Sequence, residues 1–319
     1  MKVLVTGATG FVGRILCETL RARGHVVIRA LRSVTPGTGA GEGDVVVGEI
    51  DGGTDWAAAL AGVDAVVHLA ARVHVMRDGA AGEPEHFRVN AAGTARLAES
   101  AYAAGVRRVV FLSSIKVNGE GRERPYGETD VPAPVDPYGR SKLEAERALV
   151  AAAAVAGAEA VVIRPPLVYG PGVRGNFLRL LGLVYRGLPL PLGSIRNRRS
   201  LVSVWNLCDL VLVCLSHPAA PGHVFFAADD VDVSTPELIR LLASSMQRPP
   251  RLLEVPPALL RTVLTLLGRQ GEFDRLAESL CVQRSGTRDR LGWAPPLTLQ
   301  QGVKRTVDWY VASRRAGES

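Results

Sequence analysis

Residues 2–24, KVLVTGATGFVGRILCETLRARG, join a β-branched apolar run to an amphipathic helical run through glycines at 7, 10 and 13. Few folds accept that junction. A strand that feeds directly into a helix must lay the helix back across a sheet, so the next strand runs parallel to the first. The same rhythm recurs in HVVIRAL (25–31), DVVVGEI (44–50), DAVVHLAA (64–71), RRVVFLSS (107–114) and EAVVIRPP (159–166). Helical stretches lie between most of them, around 55–61, 87–104 and 137–156. Short β-branched runs alternating with helices predict a parallel sheet covered on both faces.

The fold class expected is therefore α/β, a doubly wound parallel sheet of the Rossmann type over residues 1–165. Beyond about 165 proline becomes frequent, in RPPLVYGPG, LPLPLG, QRPPRLLEVPP and WAPP. Residues 166–319 read as a smaller α/β substrate-binding region, partly interleaved with the first. It holds a helix near 206–216 and another started by the capping-box pattern Ser234–Glu237. The glycine-rich stretch 35–43 reads as a surface loop.

The chain has 319 residues, 47% hydrophobic and 22% charged, a globular composition. MKVLVTGATG turns glycine-rich too soon for a signal peptide. The longest apolar run, ALVAAAAVAGAEAVVI, is broken by Gly157 and Glu159 and falls short of a membrane span. A cytoplasmic location with no membrane partner is expected. Cys17, Cys208, Cys214 and Cys281 have neither metal-ligand nor redox spacing and read as buried small hydrophobes. No His/Asp/Glu cluster suggests a metal. The net charge of +7 is spread over arginine groups without interleaved aromatics, so no nucleic-acid partner is expected.

Two stretches carry chemistry. In TGATGFVG, glycines permit a tight turn, a close approach of backbone to a pyrophosphate, and close helix–strand packing. The helix that follows offers free N–H groups to phosphates. In DPYGRSK (136–142), Asp136 can cap a helix and Pro137 fits its first turn. Tyr138 and Lys142 then share one face, four residues apart.

Taken together, TGxxGxxG at 6–13, HLAA at 68–71, NAAGT at 90–94, FLSS at 111–114, YGRSK at 138–142 and RPPLVYGPG at 164–172 resemble the extended short-chain dehydrogenase/reductases. Order and spacing agree across essentially the whole chain. The resemblance implies a nucleotide-sugar enzyme with a Ser114–Tyr138–Lys142 site. Tyr138 would move the proton, Ser114 would hydrogen-bond the reacting oxygen, and Lys142 would lower the phenol pKa and hold the nicotinamide ribose. It also implies cofactor contacts from Gly7, Gly10, Phe11, Val12 and Gly13. Further contacts come from Leu69, Ala70 and Ala71, from Pro165, and from the pair Glu49–Ile50 beside the adenine. His68 reads as core and His74 as surface loop.

NAD-preferring members carry an acidic residue at the end of the second strand. Here Leu31 and Arg32 stand there, so NADP(H) is favoured, with NAD(H) possible. On the substrate side, Lys116, Asn176 and Arg199 would contact a UDP-sugar, with Arg198 a rival for the diphosphate. In 4,6-dehydratases an Asp-Glu pair follows the Ser/Thr. Ile115 and Lys116 occupy those positions and disfavour water elimination. Asn118 replaces the family's usual tyrosine. The segments SSIKVNGE, RPPLVYGPGVRGNFL and NRRSLVSVWNLCDLV are similar to those of reductases of UDP-4-keto-6-deoxy-N-acetylhexosamines. The expectation is thus an NAD(P)H-dependent 4-ketoreductase serving polysaccharide precursor synthesis. The alternative is a UDP-hexose or UDP-N-acetylhexosamine 4-epimerase, and a second is a non-catalytic dinucleotide sensor. A homodimer is expected through the helix from Pro137 and the helix in NAAGTARLAESAYAA.

Overall fold

The computed structural model describes residues 1–33, 41, 43–73, 82–266, 268, 273 and 276–317. His74 and most of the glycine-rich stretch 35–43 lie outside the described residues. Seven parallel strands form the main sheet: β1 (Lys2–Thr6), β2 (Val26–Leu31), β3 (Asp44–Val46), β4 (Ala65–His68), β5 (Arg108–Leu112), β6 (Glu159–Arg164) and β9 (Val224–Phe226). Their order is β3-β2-β1-β4-β5-β6-β9, so the strand order reverses between β1 and β4. A second parallel pair joins β7 (Leu167–Tyr169) to β8 (Leu201–Ser203).

Strand alternation sorts the core into two layers. Val3, Val5, Val67, Val110 and Ile163 point to one face, against α1 (Phe11–Ala22) and α7 (Val204–Ser216). Leu4, Val66, Val109 and Ala160 point to the other, which also buries α2 (Ala57–Leu60). The main cover there is α4 (Gly93–Ala103) and α5 (Pro137–Ala156). All four cysteines are free and buried.

The helix signals act as their chemistry requires. The Asp136 carboxylate accepts from Gly139 N at 2.6 Å, and Gly157 ends α5 at φ 60°. Ser234 and Glu237 form a reciprocal capping box on α8 (Thr235–Ser245). The helix expected over 87–104 has a different start. A short α3 (Glu83–His86) runs into a π-helical segment, Phe87–Ala92, before α4. The C-terminal region adds α6 (Gly175–Tyr185), α9 (Pro257–Leu266), α10 (Ser285–Leu291) and α11 (Leu299–Gly317). Among the described residues no helix is long and apolar enough to cross a membrane.

Candidate active site

The glycine turn sits where the strand order reverses, the place where open α/β sheets leave a crevice. Gly7 has φ +66°, and a Cβ there would lie 2.8 Å from Ala70 N. A Cβ on Gly13 would lie 2.1 Å from Gly7 O. Gly10 precedes α1, is exposed, and no side chain caps the helix. The positive end of α1 is thus open beside the Leu69–Ala70 backbone, a fit for a dinucleotide pyrophosphate. Phe11 and Val12 are half-buried in the first turn, and Phe11 packs beside Gly170 and Gly172.

A hydrogen-bond chain holds this crevice from below. Thr94 donates to Asn90 O at 2.5 Å, which uses its single proton. His68 Nε2, 3.0 Å from Thr94 Oγ1, must therefore be the donor there. His68 Nδ1 then accepts from Thr6 Oγ1 at 2.6 Å, and that oxygen receives Leu69 N and Ala70 N at 3.2 and 3.1 Å. Burial, helped by the charge of Lys142, pushes His68 down to about 3, so it stays neutral. His68 is a core residue, as expected.

At the end of β2, Arg32 does not stand alone. Its Nη1 lies 3.6 Å from the Glu49 carboxylate, and both side chains are mostly exposed. Arg88 reaches Glu49 at 3.2 Å and Asp51 at 2.8 Å. Ile50 packs where a Cβ on Gly93 would stand, at 2.8 Å.

The structure brings Ser114, Tyr138 and Lys142 together. Ser114 caps the 3-10 turn Ile115–Val117, its Oγ accepting from Lys116 N at 3.2 Å. Gly139 permits the close approach of α5 to this turn, since a Cβ there would lie 2.6 Å from Lys116 O. Tyr138 is thereby set against Ser114. Lys142 Nζ is buried, donates to Leu112 O at 2.6 Å, and lies 4.0 Å from the centre of the Phe111 ring. One expectation is corrected. Burial drives the Tyr138 phenol up to about 12, against the pull of the Ser114 hydroxyl and with a further push from Asp136. Burial also brings Lys142 down to about 7, partly opposed by Glu146. For the phenol, desolvation outweighs the opposing Ser114 hydrogen bond.

Three positioning residues were not legible beforehand. Asn90 donates to Arg72 O at 3.0 Å and to Ser141 Oγ at 2.9 Å, and accepts from Arg72 N at 2.8 Å. Ser141 donates to Tyr138 O at 2.8 Å. The buried His86 ring meets the Tyr138 ring edge-on at 6.2 Å. The NAAGT motif was the only signal pointing there.

The substrate-side residues are more dispersed. Lys116 Nζ pairs with Glu120 and lies 3.4 Å from Asp136. Ile115 is buried, and its N–H donates to Pro165 O at 3.0 Å, which ties the Ser114 turn to the end of β6. Asn176 is exposed in the first turn of α6. Arg199 donates to Glu278 O at 3.1 Å, and burial lowers its pKa while Glu278 and Glu120 oppose the shift. Glu120 pairs with Lys116 and reaches Arg199 only through its charge. Arg198 is mostly exposed and 3.7 Å from Asp232. Among the described residues no His/Cys/Asp/Glu group could hold a metal ion.

Comparison with known proteins gives the family. The UDP-glucose 4-epimerase of Vibrio cholerae is 44% identical over 315 residues, 97% of this chain and 95% of the relative. A 3 beta-hydroxysteroid dehydrogenase/Delta 5-->4-isomerase of Mycobacterium tuberculosis is 32% identical, covering 98% of this chain and 90% of the relative. The solved structure of MoeE5 with UDP-glucuronic acid and NAD superposes with a TM-score of 0.78 at 29% identity, covering 98% of this chain and all of that one. Residues 3–228, from β1 to the end of β9, match the family described as NAD dependent epimerase/dehydratase, and the chain belongs to it.

Proposed function

We propose that this chain is a UDP-hexose 4-epimerase that holds NAD through its catalytic cycle. The observation that carries the reading is the 44% identity to the Vibrio cholerae UDP-glucose 4-epimerase over nearly the full length of both chains. MoeE5, 29% identical and solved with UDP-sugars and NAD, supports the substrate class. The 4-ketoreductase expected from the sequence uses the same Ser–Tyr–Lys set but gives way to the epimerase, because the full-length likeness lies there.

Bound NAD supplies a reversible hydride acceptor at the sugar carbon. With the cofactor bound, Tyr138 would take the carbon-4 hydroxyl proton in one half of the cycle and return a proton to the same oxygen in the other. Ser114 hydrogen-bonds the same oxygen throughout. Lys142 seats the ribose and offsets the cost of a buried phenolate. Water elimination has no apparatus: Ile115 is buried and apolar, and Lys116 is engaged with Glu120 and Asp136. NAD(H) is preferred to the NADP(H) expected from Arg32 alone, because a 2′-phosphate would also meet the Glu49 carboxylate. Arg199, Lys116 and Asn176 supply the polar contacts for the diphosphate and sugar.

The test is to offer UDP-glucose, a UDP-4-keto-6-deoxy-N-acetylhexosamine and a 3β-hydroxysteroid, each with no cofactor, NAD(H) or NADP(H). Conversion of UDP-glucose to its carbon-4 epimer without net cofactor consumption is the expected result. Stoichiometric oxidation of NAD(P)H by the keto sugar alone would return the assignment to the ketoreductase. Turnover of the steroid alone would remove the sugar reading.

A further inference from the structure

Beneath Lys142 lies a buried polar cluster that the reaction above does not use. Glu146 stands one turn further along α5. Arg164, on β6, donates to it from Nε at 2.9 Å and from Nη2 at 2.5 Å. Ser113 donates to the same carboxylate. Arg164 Nη1 donates to Asn118 Oδ1 at 3.0 Å, so the residue that replaces the family's tyrosine serves the cluster. Ser113, Asn118, Glu146 and Arg164 are each 5% exposed or less. A buried ion pair is poor value as a stabiliser, since desolvation offsets most of its Coulomb energy. Its placement suggests a different use.

We propose that Glu146 is a positioning residue: clamped by Ser113 and Arg164, its carboxylate keeps the buried Lys142 ammonium charged and seated between Leu112 O and the Phe111 ring. Lys142 is 1% exposed, and its one described hydrogen-bond acceptor, Leu112 O, is neutral. Glu146 is four residues on along the same helix, on the face that carries Lys142. The direction of the electrostatics agrees, with burial lowering the Lys142 pKa and Glu146 raising it. Among the described residues, the other ionisable groups near this end of α5 and on the elements packed against it fall into two sets. Tyr138 on α5, His86 on α3 and the neutral His68 on β4 carry no charge opposite to it. Arg164 on β6 is neutralised by Glu146, and Arg88, Glu83 and Lys116 are paired with Glu49, Arg140 and Glu120.

The role rests on the Ser–Tyr–Lys reading for its effect on turnover, but the charge state of Lys142 can be read without substrate. The chain has four lysines, Lys2, Lys116, Lys142 and Lys304, so ε-¹³C-labelled lysine gives four NMR signals. The Lys142 signal is identified by its loss in Lys142→Met. In Glu146→Gln the Lys142 titration midpoint should fall by about one unit or more, and in Arg164→Met it should rise. Glu146→Asp should restore part of the shift. Glu146→Gln combined with Arg164→Met removes the Arg164 charge together with its partner and leaves only Lys142 as a buried charge there, so it tests the idea if the single variant misfolds; its midpoint should also fall. The alkaline limb of kcat/KM should move with the midpoint, because turnover is lost as Lys142 loses its charge. A midpoint within about 0.3 units of the parent in both Glu146→Gln proteins would overturn the proposal, whatever happens to the melting temperature. A midpoint that moves while the alkaline limb stays would instead overturn the place of Lys142 in the reaction, and the positioning role with it.

Discussion

Removing one oxygen atom from Tyr169 should cost this protein several degrees of stability. The ring is fully buried and stacked on Phe177 at 5.3 Å, and its hydroxyl donates to Asp229 Oδ2 at 2.6 Å. Asp229 is fully buried, and its other oxygen accepts from Ser203 N at 2.9 Å and Asn206 Nδ2 at 2.6 Å. Among the described residues no cation pairs with the carboxylate; Arg284 donates to Asp229 O instead, at 2.5 Å. Tyr169→Phe keeps the ring and its stacking but takes the donor from Oδ2. A hydrogen bond to a charged group contributes about 1.5–3 kcal/mol, and little cavity is added. With an unfolding entropy of about 2.1 cal/mol/K per residue over 319 residues, this corresponds to a melting shift of about 2–4.5 °C. The pH dependence has a definite sign. Burial already raises the Asp229 pKa above its ordinary 3.8, while Tyr169, Ser203 and Asn206 pull it back. Without Tyr169 it rises further. Between the unfolded value and that raised value the folded state holds a proton the unfolded state lacks, so the variant gains stability as pH falls through this window. The difference from the parent should be largest at neutral pH and shrink on acidification. Calorimetric melts of both proteins from neutral to mildly acidic pH measure it. A neutral-pH difference under about 1 °C, or one that widens with acid, would refute the reasoning.

Other outcomes follow from the site. Tyr138→Phe should reduce epimerisation by roughly 10²–10⁴-fold with folding and cofactor binding retained, checked by turnover beside a cofactor titration. Lys142→Met should lose turnover and cofactor affinity together in the same assays. Glu49→Gln, which frees Arg32, should raise NADPH affinity relative to NADH by roughly fivefold, and unchanged ratios would show that neither residue meets the ribose. Light scattering at micromolar concentration should give a homodimer mass, and a monomer would exclude pairing through α4 and α5.

Much of the frame was legible because it rests on local rules. Strands β1 to β6 follow from short β-branched runs, and the start of α5 follows from Asp136 and Pro137. The glycine turn follows from steric limits that no other residue meets. What escaped depends on contacts distant in sequence. Glu146 and Arg164 sit on different elements, and nothing in EAERALV or AVVIRPP marks them as partners. The π-helical segment hides because one widened turn leaves the apolar spacing nearly helical. The Tyr138 pKa was expected in the wrong direction because helix spacing gives the distance to a lysine but not the loss of water around a phenol. The short β9, in HVFFAADD, holds one valine and two phenylalanines and lacks the β-branched run that made β1 to β6 readable.

That last strand sets an order of events at the ribosome. β9 hydrogen-bonds to β6, yet β7, α6, β8 and α7 are all synthesised between them. Until Phe226 emerges, the edge of β6 has no neighbour, and α7 arrives before the strand that completes the sheet under it. A nascent chain halted after Arg164 would present an apolar strand edge rather than a finished nucleotide-binding unit. Fragments ending there should require a chaperone or aggregate, and the two regions should mature as one cooperative body rather than in succession.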